Sequence, residues 1–144
     1  MMCCDITIAG ESAKIGLPET NLGVMPGAGG TATLTRLVGR ALAMRMVLTG
    51  EPIEASRALA AGLVSEVAPA GQALNAALAL ADRLVNRAPL ALREAKASIR
   101  EADLSEPDHL LTERKRFVSL LRSYDKAEGI TAFREKRPAV WRGC

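Results

Sequence analysis

The stretch Gly16-Leu17-Pro18-Glu19-Thr20-Asn21-Leu22-Gly23-Val24-Met25-Pro26-Gly27-Ala28-Gly29-Gly30-Thr31 decides how the rest of the chain is read. Pro18, Pro26 and the glycines at 23, 27, 29 and 30 predict irregular backbone over residues 18–30. Three physical features coincide there. A carboxylate, Glu19, follows a proline and lies among Leu17, Leu22 and Val24. Such a group reads either as a solvent-facing turn residue or as a general acid held in apolar surroundings. The glycines let a ligand or a second backbone approach closely. A helix is predicted from about Thr31, so free N–H groups and a positive dipole end would face the turn.

The same glycines imitate two phosphate motifs. Gly27-x-Gly29-x-x-Ala32, with Glu51 further on, fits a loose dinucleotide fingerprint. The residues before it hold Pro18 and Pro26 and make a poor parallel strand. No Gly-Lys-Ser/Thr follows, so a Walker-type loop is excluded as well.

Upstream, residues 5–10 read as a short strand with Ile6 and Ile8 alternating, and residues 14–17 as a second extended piece stopped by Pro18. Downstream, Leu34, Leu37, Val38, Ala41 and Leu48 predict one helix face, with Gly50 as its C-terminal cap. A short helix over 55–61 ends at Gly62, and 63–67 is strand-like. Helices are expected over 72–86, carrying Leu74, Leu78 and Leu84 on one face, and over 90–102 behind Pro89. Another is expected over 105–122, and Asp125 with Glu128 suggests a capping box before a last helix through Lys136. So few strands would leave sheet edges to hide.

Composition narrows the chemistry. The chain has 144 residues, one domain's worth, 49% of them hydrophobic and only 3% aromatic. The net charge is +3, with basic residues concentrated after residue 110. These read as a solvated helix face unless a phosphate-rich ligand claims them. Scarce aromatics disfavour a stacking surface for nucleic acid, and no apolar run reaches the ~20 residues of a membrane helix. The one histidine, His109, cannot build a multi-histidine metal site and reads as a surface residue. Cys3, Cys4 and Cys144 lack zinc spacing, and Cys3 and Cys4 are expected to be inert packing residues in a reducing, cytoplasmic setting. The absence of a basic lead before Asp5 argues against a signal peptide.

Taken together, the motifs resemble the enoyl-CoA hydratase/isomerase (crotonase) superfamily. Met2-Cys3 with Asp5-Ile6, Gly16-Leu17-Pro18-Glu19, Leu22 through Thr31, Met46 through Gly50, and the tail from Asp125 to Pro138 occur in that family's order. The resemblance implies the C-terminal half of a crotonase-like α/β spiral fold, with few short strands at the N-terminus followed by mostly helices. It divides the chain into 1–70, the remaining core with the acyl-CoA loop, and 71–144, a helical oligomerisation region. It further implies a coenzyme A thioester substrate, no tightly bound cofactor, no metal, and a homo-oligomer, a trimer or hexamer.

In the family, two glutamates handle water and its protons, and two backbone N–H groups hold the enolate oxygen. Glu19 matches the second glutamate, Pro18 and Gly27 match positions near the acyl thioester, and Phe133 and Lys136 match contacts to the coenzyme A nucleotide. The first glutamate and the oxyanion amides would precede the matched region. The expectation is therefore a hydratase-like chain with little activity alone. The alternatives are an isomerase using Glu19 as its single acid/base, or a non-catalytic subunit.

Overall fold

A computed structural model of the chain describes residues 1–22, 25–27, 29–102 and 118–144. The expected helix over 105–122, and His109 with it, falls largely outside the described residues. Two compact units are present, Met1–Leu80 and Ala81–Cys144.

The first unit holds every strand described. β1 (Ile8–Gly10) pairs in parallel with β4 (Glu66–Ala68), Ala9 opposite Val67. β2 (Lys14–Ile15) pairs antiparallel with β3 (Ile53–Glu54), Ile15 opposite Ile53. The strands are shorter than the alternation at Ile6 and Ile8 predicts: Ile6 is 45% exposed and lies before β1. The 63–67 run also shifts, because Leu63 and Val64 are buried in a turn and β4 starts at Glu66. β3, with two residues, gives no periodic signal.

Helix α1 (Gly30–Thr49) begins within a residue of the expected start and ends at Gly50, whose φ of 66° is the left-handed cap. Its buried face is not the predicted one. Leu34 is buried, but Leu37 and Leu48 are 41% and 66% exposed. For Leu48 the cause is Gly39, at φ 76° and ψ 161°, which breaks the helical path. That region is essentially restricted to glycine. Beyond it the register rotates, and Ala43 and Met46 turn inward instead.

Helix α2 (Ala55–Ala60) follows β3 directly and buries Ala55 and Ala58. Together with Ala9, Leu34, Ala43, Met46, Ile53, Leu63 and Val64 these residues form the core. A buried leucine or methionine contributes roughly 1.5–3 kcal/mol. Small alanines at the centre let α2 sit close to the short strands.

Helix α3 (Ala73–Val85) buries none of its residues; Leu74, Leu78 and Val85 on its apolar stripe are 69%, 55% and 78% exposed. In the second unit, α4 (Pro89–Ala102) precedes α5 (Tyr124–Glu135). The cap of α5 is Ser123, which accepts the Lys126 amide at 3.1 Å. Asp125 and Glu128, expected as a capping box, instead turn their carboxylates to the C-terminal tail.

Cys3 and Cys4 are exposed rather than packed. The lead that carries them lies before β1, where none of the described strands pairs with it.

Candidate functional site

Residues 19–22 form a 3-10 turn inside the stretch expected to be irregular. Pro18 suits this position: its carbonyl accepts the Asn21 amide at 3.0 Å, and at the start of a turn an N–H would have no upstream acceptor, so proline loses no bond there. Glu19 opens the turn and is half-buried. Its Oε2 is inaccessible and has no hydrogen-bond partner. An unpaired buried carboxylate oxygen is costly, and nothing in the packing around it offsets that cost.

The glycine turn closes the other side of the loop. The Gly30 amide donates to Gly27 O at 2.9 Å, and Gly29 stands at φ 77° as the cap of α1 without a side-chain bond. Pro26 is buried and Gly27 exposed. A Cβ on Gly30 would lie 3.2 Å from Pro26 Cβ and 3.8 Å from Leu17 Cδ1. The two ends of the loop therefore come near each other where Leu17 approaches Gly30, and a side chain at 30 would crowd Pro26.

Beside this loop lies an open cleft of about 350 Å³, walled by Met2, Ile15, Leu17, Leu34, Met46 and Leu63 among others. Leu34 and Met46 are core residues, so the cleft opens directly onto the core of the first unit.

The second unit carries the other two candidates. Phe133 is 85% exposed on α5, and Lys136 takes the left-handed conformation at φ 55° that ends the helix. Below them the tail is strapped down. Both oxygens of Asp125, which is 2% exposed, accept backbone amides, from Arg142 at 2.7 Å and Gly143 at 3.0 Å. Glu128 takes the Arg137 guanidinium through both oxygens at 2.6 and 3.0 Å, and the Val140 amide at 2.8 Å. The bond from Arg137, with the Val140 amide second, holds the Glu128 carboxyl well down, at about 2. Arg137 is pushed up by the same contact. Arg142 lies 4.3 Å over the Tyr124 ring. Part of the basic cluster expected to be solvated is thus engaged in holding the tail; Arg114, Lys115 and Arg116 lie outside the described residues.

Sequence reasoning singled out Glu19, Pro18 and Gly27 as candidates but not the long-range contact beside Glu19. Thr20 donates its hydroxyl to Val47 O at 2.8 Å, across 27 residues. Asp125 and Trp141 were equally hidden; the indole donates to Asn86 O at 3.1 Å and packs on Gly129. Among the described residues no group of three or more His, Cys, Asp or Glu could hold a metal ion, and no helix is long and apolar enough to cross a membrane.

The family model for enoyl-CoA hydratase/isomerase matches residues 1–144, and the chain belongs to that family. It is 46% identical over 143 residues to the 2,3-dehydroadipyl-CoA hydratase of Escherichia coli (strain K12), covering 99% of this chain and 56% of that protein. The crystal structure of enoyl-CoA hydratase from Bacillus anthracis superposes with a TM-score of 0.94 at 36% identity, over 99% of this chain and 56% of that one. That of Mycobacterium tuberculosis H37Rv does so with 0.94 at 35%, over 99% and 57%. The chain spans about half the length of the curated relatives it matches. Its fold is the crotonase-type α/β fold over that span, few short strands followed mostly by helices.

Proposed function

We propose that this chain supplies the acid side of an enoyl-CoA hydratase site, acting on 2-trans-enoyl-CoA thioesters. The buried, unpartnered Oε2 of Glu19 carries the reading. In hydration, a water oxygen bonds to Cβ of the enoyl thioester, and charge passes to the thioester oxygen. Glu19 gives its proton to Cα, while a second base takes the proton from water. Pro18 and Gly27 lie near the acyl thioester. The coenzyme A enters as part of the substrate, with no separate tightly bound cofactor. The exposed Phe133 ring and the Lys136 ammonium suit its adenine and phosphates.

The second base and the amides for the thioester oxygen come from polypeptide corresponding to the part of the relatives this chain does not span, seated over the cleft at Leu17 and Leu34. Loss of one oxyanion donor costs ~10²–10³ in rate, so the 144 residues alone turn over slowly. The uncovered stripe Leu74, Leu78 and Val85 supports self-association through residues 71–144; the family resemblance suggests a trimer or hexamer, and the proposed setting is the cytoplasm.

Crotonyl-CoA hydration, followed by loss of the conjugated thioester absorbance, tests the proposal. The chain is mixed with a polypeptide matching the remaining part of the E. coli relative. Hydration that falls ~10²–10⁴-fold in Glu19→Gln is the expected result. Hydration indifferent to Glu19→Gln overturns it.

A single unpartnered carboxyl also suits an isomerase, in which one group removes a proton from one carbon and returns it to another. Product analysis separates the two: a shifted double bond, rather than a 3-hydroxyacyl product, favours the isomerase.

A further inference from the structure

Nothing bonded to Glu19 Oε2 fixes its direction. What is fixed is the chain on either side. Lys14 and Ile15 pair with Glu54 and Ile53 in the β2–β3 ladder. Gly16 then lies so close to Pro52 that a Cβ there would stand 3.0 Å from Pro52 Cα. After Glu19 the contacts resume: Thr20 bonds to Val47 O, and Asn21 lies against Gly50, where a Cβ would fall 2.5 Å from Asn21 Nδ2. The segment carrying Glu19 is thus laid along the corner 47–54 and anchored on both sides of the carboxylate.

The Val47 carbonyl is available for a reason. It belongs to the last turn of α1, where carbonyls lose their intrahelical partners. The amide that would continue the helix to it, that of Glu51, bonds instead to Thr49 Oγ1 at 3.1 Å. Gly50, left-handed at φ 66°, turns the chain away and leaves the carbonyl open. Thr20 fills that vacancy from a different element.

We infer that Thr20 is a positioning residue for Glu19: its hydroxyl bond to Val47 O, backed by Asn21 against Gly50, sets where the Glu19 carboxyl points. Its catalytic consequence rests on the function proposed above; the geometric claim does not. The adjacent residue cannot rotate about the turn while its hydroxyl holds α1, so the carboxylate stays directed inward without a partner of its own.

The test reads the carboxyl itself. The 144-residue chain is labelled with ¹³C-glutamate, and the Glu19 carboxyl resonance is assigned by its loss in Glu19→Gln. Thr20→Val keeps the side-chain shape and removes the donor; Thr20→Ser keeps the donor. The expected result is a Glu19 resonance displaced beyond its line width in Thr20→Val and returned to the wild-type position in Thr20→Ser. A folded Thr20→Val chain with lowered melting temperature but an unmoved Glu19 resonance overturns the inference, as does failure of Thr20→Ser to restore it. Should Thr20→Val lose its circular dichroism, Asn21→Ala decides: displacement of the same resonance supports the inference, and an unmoved one overturns it. Absence of hydration in the wild-type mixture counts against the proposed function and leaves this measurement intact.

Discussion

Asp125 holds the Arg142 amide at 2.7 Å with one carboxylate oxygen while its other oxygen takes the next amide along. A carboxylate in the first turn of α5 would ordinarily serve its own helix. Here it closes a loop of the chain back on itself, and the left-over capping role passes to Ser123. Replacing Asp125 by Ala leaves two amides without their charged acceptor. The expected cost is about 2–3 kcal/mol, read as a lower melting temperature. Amide exchange at residues 142 and 143 should accelerate more than exchange in α4.

Glu128 gives the same strap a pH dependence. Its folded value, about 2, lies below its ordinary 4.5. The folded state therefore binds the proton later than the unfolded chain does, and the contribution is fully present above about pH 4.5. It is lost as the pH falls from there towards 2. Emission from the single tryptophan, Trp141, should report release of the tail over that window. In Glu128→Gln the transition at low pH should disappear, and the tail should be loosened already at neutral pH.

Two glycines separate backbone strain from crowding. At Gly39 a Cβ would meet nothing within 4 Å, yet φ 76° with ψ 161° excludes other residues. Gly39→Ala should cost about 1–3 kcal/mol from backbone alone. Gly50→Ala adds a collision with the Asn21 side chain to a left-handed φ. It should cost more than Gly39→Ala, and Asn21→Ala should recover part of the excess in the double variant. Chemical denaturation of the four proteins checks the ordering.

Glu19 should trade stability against function. Replacing it by Leu removes the unpartnered oxygen and its desolvation cost, and the melting free energy should rise by about 1 kcal/mol. The hydration proposed for the completed site should fall in the same variant. Unfolding curves and crotonyl-CoA assays on one preparation measure both.

The irregular loop between β2 and α1 was legible because its signals are local. Pro18 next to Glu19, and glycines ahead of a helix, mark the turn within a few residues. The limits of α1 were legible for the same reason, with Gly50 punctuating its end. Its buried face was not: periodicity assumes one unbroken helix, and Gly39 resets the phase halfway along. Residues 53–54 are too few to show a period, so β3 is visible only through its partner β2. Thr20, Asp125 and Trp141 act on groups 27, 17 and 55 residues away. Their roles exist only once the chain has folded, and no spacing rule encodes them.

The open cleft beside Leu17 has a chemical consequence as well as a structural one. Met1, Met2 and Met46 all contribute to its wall, with Met1 48% and Met46 1% exposed. Thioethers are soft, adaptable linings, but each sulfur is a site for oxidation. Of these three, peroxide would convert Met1 first, and each sulfoxide would turn a greasy surface wet. Met46 forms part of both wall and core, so oxidation of this cleft would begin at its mouth and work inward.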